Sequence, residues 1–122
     1  MILGFKPDFA PLIISGTKLH TIRAGRRWVA GQTISFCFNL GPDNLTKFQP
    51  DGVAQTVQDI RAVQINGTYL IEIDGRQLSQ PEIAEFVRRD GFESADQLFD
   101  FLAGYDGLPF MGQLIHWTDL VY

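Results

Sequence analysis

The sequence predicts an α+β fold, a mostly antiparallel sheet curled into a small closed or partly closed barrel with short helices on its flanks. Three observations predict it. Thr33–Asn39 alternates between apolar and polar residues, as a half-buried strand does. Asn66-Gly67 separates two apolar runs, residues 62–65 and 68–73, and suits a type I′ hairpin turn. Ser79-Gln80-Pro81-Glu82 has the form of a helix capping box with proline in the first turn.

The remaining elements follow in chain order. Residues 2–5 read as a short first strand. Pro7-Asp8 opens a helix of about two turns that Asp8 caps, with Phe9, Leu12 and Ile13 as its apolar face. Gly16 is its left-handed stop. Residues 21–23 form a strand, and 26–32 a loop punctuated by Gly25 and Gly31. Gly41-Pro42-Asp43-Asn44 is a turn cluster, and an irregular polar loop continues to Gly52. A further strand lies in the second half of residues 53–65. Asp74-Gly75 makes a second tight turn. The capped helix presents Ile83, Phe86 and Val87 and ends near Asp90-Gly91. Ser94 with Gln97 opens another helix, which Gly104 closes. Residues 113–121 return as a final strand.

A chain of 122 residues fits one domain over 1–122, with a real core and no need of disulfides. Cys37 is the single cysteine and falls in the alternating strand, where it reads as a small half-buried side chain. Two histidines and one cysteine, widely spaced, match no zinc pattern, so neither metal nor cofactor is expected. No stretch has the form of a signal peptide or a membrane span, which leaves a cytoplasmic location as the expectation.

The net charge of −4 argues against a protein that coats nucleic acid non-specifically. Its distribution is uneven. Between Phe9 and Pro42 there is no acid, while Lys18, Arg23, Arg26 and Arg27 all fall there. From Glu72 onward ten acids face three arginines. This pattern suggests one local site for an anion on an otherwise acidic body.

The basic stretch, residues 18–28, carries the chemistry. Gly16 lets the backbone turn sharply and a ligand come close. Lys18 places an ammonium beside that turn. Thr21 and Arg23 stand two apart on a strand, hence on one face, offering a hydroxyl and a planar fork for phosphate or a base edge. Arg26 and Arg27 follow, and Trp28 is a candidate platform for stacking a base. His20 falls on the opposite face and reads as core or partly exposed, His116 as a satisfied buried histidine. The two histidines are not expected to converge, which places ribonuclease action low. Phe92, Phe99, Phe101 and Phe110 read as core.

Gly16-x-Lys18-x-x-Thr21-x-Arg23, followed by Arg27-Trp28 and Gly31, resembles the signature of ASCH domains, relatives of the PUA fold. The resemblance continues through Asp74-Gly75, Asp90-Gly91-Phe92 with Ser94, and the ending Leu114-Ile115-His116-Trp117-Thr118-Asp119, and so covers nearly the whole chain. It implies a PUA-like β-barrel with flanking helices, a cleft beside the G-x-K turn, and RNA, a nucleoside or a nucleotide as ligand. One bacterial branch that is similar in this element hydrolyses the acetyl amide of N4-acetylcytidine with a lysine, a threonine and a glutamate. Carried over, the first two are Lys18 and Thr21. Asp90 aligns with the acid by its neighbours, one methylene shorter than a glutamate. The loop of residues 41–52 is a second departure from that branch. The expectations are thus a binding module gripping its ligand through Gly16, Lys18, Arg23, Arg26, Arg27 and Trp28, or an amidohydrolase using Lys18, Thr21 and Asp90. The sequence is silent on a protein partner.

Overall fold

A computed structural model describes residues 1–39, 41 and 43–122. Along the chain run β1 (Ile2–Phe5), a 3-10 turn (Pro7–Phe9), α1 (Ala10–Ile14), β2 (His20–Ala24), β3 (Thr33–Asn39), β4 (Leu45–Lys47), β5 (Gly52–Val53), β6 (Thr56–Ile65), β7 (Thr68–Ile73), β8 (Arg76–Gln77), α2 (Gln80–Arg89), α3 (Ala95–Tyr105) and β9 (Phe110–His116). Leu40 and Pro42, within the expected turn cluster, lie outside the described residues.

Local chemistry makes the larger sheet. Asn66 and Gly67 both adopt positive φ, 51° and 78°, the pair of conformations a type I′ turn requires. They set the β6–β7 register at Ile65 opposite Thr68. Asp74 and Gly75 repeat the device at 50° and 81° and add β8. The sheet order is β2-β9-β6-β7-β8, with every pairing antiparallel. In the smaller sheet β3 pairs with β1 in parallel and with β4 and β5 antiparallel.

The capping box forms as expected. Ser79 accepts from the Glu82 amide, and the Glu82 carboxylate accepts from the Ser79 amide. Ser94 caps α3 through the Gln97 amide. Arg88 and Arg89 stand in the last turn of α2, where positive charge complements the helix dipole.

The strands divide their side chains between two cores. On one face of the larger sheet Ile22, Ile60, Ile71 and Leu114 pack against Phe86, Val87, Leu98 and Leu102 of the helices. On the other, Ile115 joins Leu3, Phe5, Ile34 and Phe36 of the smaller sheet. Leu114 and Ile115 are chain neighbours that serve opposite cores, as period-two alternation dictates. The layers are therefore helices, large sheet, small sheet.

Several expectations need correction. The strands form two sheets, and no closed barrel is found among the described residues. Asp8 makes no capping bond; the first helix begins as a 3-10 turn with Pro7 at its start. The polar loop of residues 41–52 contains β4, because Leu45–Lys47 finds free edge groups on β3. Gly104 lies inside α3, which ends at Tyr105, with Gly107 at φ 88° just beyond. The final strand begins earlier, at Phe110, and ends at His116.

Trp28 is the largest correction. It is buried in the second core, and its face is not offered to a ligand. Its position is fixed by the Gln113 amide, which accepts from the Trp28 N–H and donates to the Trp28 carbonyl, both at 2.9 Å. Gln113→Leu strands both backbone groups away from water. The expected cost is about 2–5 kcal/mol, read from the urea midpoint at unchanged m-value.

Candidate functional site

A cavity of about 750 Å³ opens where β1, β2, the end of α2 and the face of α3 meet. Its formation starts from the turn that Gly16 makes at φ 81°. The amides of Thr17 and Lys18 both return to the Leu12 carbonyl at 2.9 Å, and Leu19 N–H bonds the Arg89 carbonyl at 2.7 Å. These bonds dock the start of β2 against the C-terminus of α2. Lys18 and Asp90 are thereby brought together across 72 positions of sequence.

Lys18, Thr21 and Asp90 all line the cavity, each at most 3 % exposed. The Lys18 ammonium donates to the Asp90 backbone carbonyl and lies 3.6 Å from Asp90 Oδ1. It also sits 4.7 Å from the centre of the Phe9 ring and 6.0 Å from that of Phe92, where cation–π attraction replaces part of the lost hydration. Gly91 admits the lysine stem: a Cβ there would stand 3.1 Å from Lys18 Cδ, and its φ of 91° disfavours any side chain.

Arg23 is held rather than free. Its guanidinium donates to Thr21 Oγ1 at 2.8 Å, to the Ile22 carbonyl at 2.9 Å and to the Gly4 carbonyl of β1 at 2.7 Å, and lies over Phe5. It ties the two sheets together and polarises the threonine. Because Thr21 Oγ1 accepts from a cation, its own O–H remains available as a donor, and charge developing on that oxygen is stabilised.

Burial pulls the Lys18 ammonium down from 10.5 to about 8. The neighbouring Arg23 charge adds to that shift, and Asp90 opposes it without cancelling it. An appreciable share of the lysine is therefore a neutral amine near neutral pH, as a proton acceptor must be. Apolar walls favour this state: Phe9, Phe92 and Phe101 line the cavity, with Tyr105 at its rim and Asp100 beside it. Phe92, Phe99 and Phe110 are core, as expected, and Phe101 packs half-buried against them; Phe92 and Phe101 also line the cavity.

The rest of the basic stretch goes elsewhere. Gly25, at φ 83°, ends β2, and the chain beyond it leaves the cavity. Gly16 shapes the turn but does not line the cavity. Arg26 is exposed, pairs with Asp59 at 3.3 Å and borders a separate recess of about 420 Å³. Arg27 is exposed, with Met1 Sδ 3.9 Å away. Neither arginine reaches the candidate site, contrary to expectation.

Behind the cavity lies a buried polar chain that sequence reasoning missed. His20 and His116 do converge, as cross-strand partners with ring centres 5.2 Å apart. Both are fully buried. His20 Nδ1 bonds Asp90 Oδ1 at 2.8 Å, and its Nε2 bonds the Tyr122 hydroxyl at 2.7 Å. His116 Nε2 bonds Gln58 Oε1 at 2.9 Å, while its Nδ1 has no hydrogen-bond partner. Burial lowers both imidazoles, His116 to about 4. The polar residues at alternate-face positions 20 and 116 were the signal that could have found this chain.

Among the described residues no group of three His, Cys, Asp or Glu side chains is placed to hold a metal ion, and no helix is long and apolar enough to cross a membrane. No protein-family model, characterised protein or solved structure matches the chain.

The lysine has a measurable signature. Between about pH 8 and 10.5 the unfolded chain holds a proton at residue 18 that the fold releases, so stability rises with pH through that window. The expected gain is on the order of 3 kcal/mol, most of it visible below pH 10, before Tyr122, raised to about 12 by burial, begins to act in the opposite direction. Urea midpoints across pH 7–10 should climb for the native chain and stay level for Lys18→Met.

Proposed function

We propose that this chain is an ASCH-like, PUA-related domain that takes a nucleoside or nucleotide base into the cavity and hydrolyses an amide on it, N4-acetylcytidine being the first substrate to try. The observation that carries this reading is the meeting of Lys18, Thr21 and Asp90 in one aromatic-walled recess, with Arg23 bonded to the threonine oxygen. The two sheets would then be the counterpart of the PUA-like barrel.

The chemistry follows from the atoms. In the reading proposed, the neutral Lys18 amine takes the Thr21 hydroxyl proton as Oγ1 attacks the amide carbon. No direct Lys18–Thr21 hydrogen bond is present in the ligand-free site, a looseness that ligand-free sites commonly have. The guanidinium of Arg23 stabilises the oxygen during attack. Collapse of the tetrahedral intermediate breaks the C–N bond, and the proton held by the Lys18–Asp90 pair passes to the leaving nitrogen. The amine departs, leaving an acyl ester on Thr21. Water, deprotonated by the same pair, then hydrolyses the ester and restores the hydroxyl.

Capture of an extended RNA strand has less support. Arg26 and Arg27 lie away from the cavity, and α3 brings Asp100 to its side, where a phosphate backbone would be repelled. A binding module for a free nucleoside remains the second reading, favoured by the same aromatic walls.

Purified protein is expected to release acetate from N4-acetylcytidine. Thr21→Ala should lower turnover by about 1,000-fold or more while nucleoside binding persists. The wild-type kcat/KM should rise with pH and level off above about 8, where Lys18 has lost its proton. Binding without turnover at any pH from 6 to 10 would leave only the binding module, and absence of both would end the proposal.

A further inference from the structure

We propose that His20 and Tyr122 are positioning residues for Asp90, holding one carboxyl oxygen so that the other is presented to the cavity. The inference rests on the site reading above but adds residues which that reading does not use.

The direction of the buried chain is fixed by its chemistry. Burial raises the Tyr122 phenol to about 12, so it keeps its proton. Burial also lowers His20, which keeps the ring neutral with a single N–H. A carboxylate oxygen accepts, so the ring proton is on Nδ1, which donates to Asp90 Oδ1 at 2.8 Å. The bare Nε2 then accepts the Tyr122 O–H at 2.7 Å. Phe86 stacks on the imidazole with ring centres 5.0 Å apart and fixes its plane.

Asp90 is thus tied at Oδ1 by His20, with the Lys18 ammonium 3.6 Å from the same atom. Its Oδ2 takes no hydrogen bond from the described residues, although Asp90 lines the cavity. A carboxyl held in this way can accept an N–H from a bound amide or hand a proton to the departing nitrogen without first reorienting.

Variants separate positioning from packing. Asn at position 20 can keep a donor near the place of Nδ1, whereas Leu cannot. His20→Leu should lower kcat for N4-acetylcytidine about 100-fold, within the range that general acid–base groups contribute. His20→Asn should recover to within about 10-fold of wild type, and Tyr122→Phe should reduce kcat with KM nearly unchanged. Equal losses in His20→Leu and His20→Asn, or losses that follow melting temperature alone, would overturn the proposal. A readout independent of turnover is the ¹⁵N spectrum of the ligand-free protein. It should show the Nδ1–H tautomer at His20 in the native chain and a weaker preference in Tyr122→Phe. An Nε2–H tautomer sinks the positioning role even if the enzyme is active. The expected tautomer with no hydrolysis sinks the amidohydrolase reading and leaves the positioning of Asp90 standing.

Discussion

A single buried cation organises this fold. Lys18 is 2 % exposed, and an ammonium removed from water is tolerated only where carbonyls, a carboxylate and ring faces replace the lost hydration. Each replacement comes from a different element: the Asp90 carbonyl and carboxylate from the end of α2, Phe9 from the turn after β1, and Phe92 from the stretch before α3. The requirement of one side chain thus fixes how the helical layer meets the edge of the large sheet. The incomplete compensation is visible in the depressed proton affinity, and it makes the amine chemically available.

Arg23 shows the same principle with the opposite outcome. Its guanidinium has enough donors to satisfy carbonyls on two strands and a hydroxyl at once, and it cannot lose its charge. It is consumed by structure, joining β2 to β1 and fixing the threonine hydroxyl. A lysine there could not make this fork of contacts. Two cations five positions apart in sequence therefore differ in state, one clamped between strands and one buried with its proton affinity lowered.

The histidine chain extends the ordering inward. His20 and His116 face each other across β2 and β9, between the sheet and Phe86. Both are held neutral by burial, so acid destabilises the fold by adding a proton that the native interior refuses, from about pH 6.5 downward. Gln58 joins the two halves: its oxygen bonds His116 Nε2 and accepts from the Tyr122 backbone N–H, while its nitrogen donates to the Tyr122 carbonyl. Polar groups at these depths specify one arrangement of the strands, since any register shift would leave several of them unpaired.

The sequence by itself determined the local elements. Asn66-Gly67 can hold two positive φ angles, the box at Ser79 and Glu82 can satisfy its own amides, and the alternation in Thr33–Asn39 can suit only a half-buried strand. These are short-range requirements, complete within a few residues. It also brought forward Lys18, Thr21 and Asp90, through the spacing of one motif and its likeness to a family. Only the tertiary structure decided which basic residues share a cavity. Linear proximity grouped Arg26, Arg27 and Trp28 with Lys18, but the turn at Gly25 sends them away, and Gln113, 85 positions on, draws Trp28 into the core. The partners of His20 are equally remote, 70 and 102 positions along the chain. Such contacts have no signature in local pattern, because they come from the packing of whole layers rather than from the preferences of neighbouring residues.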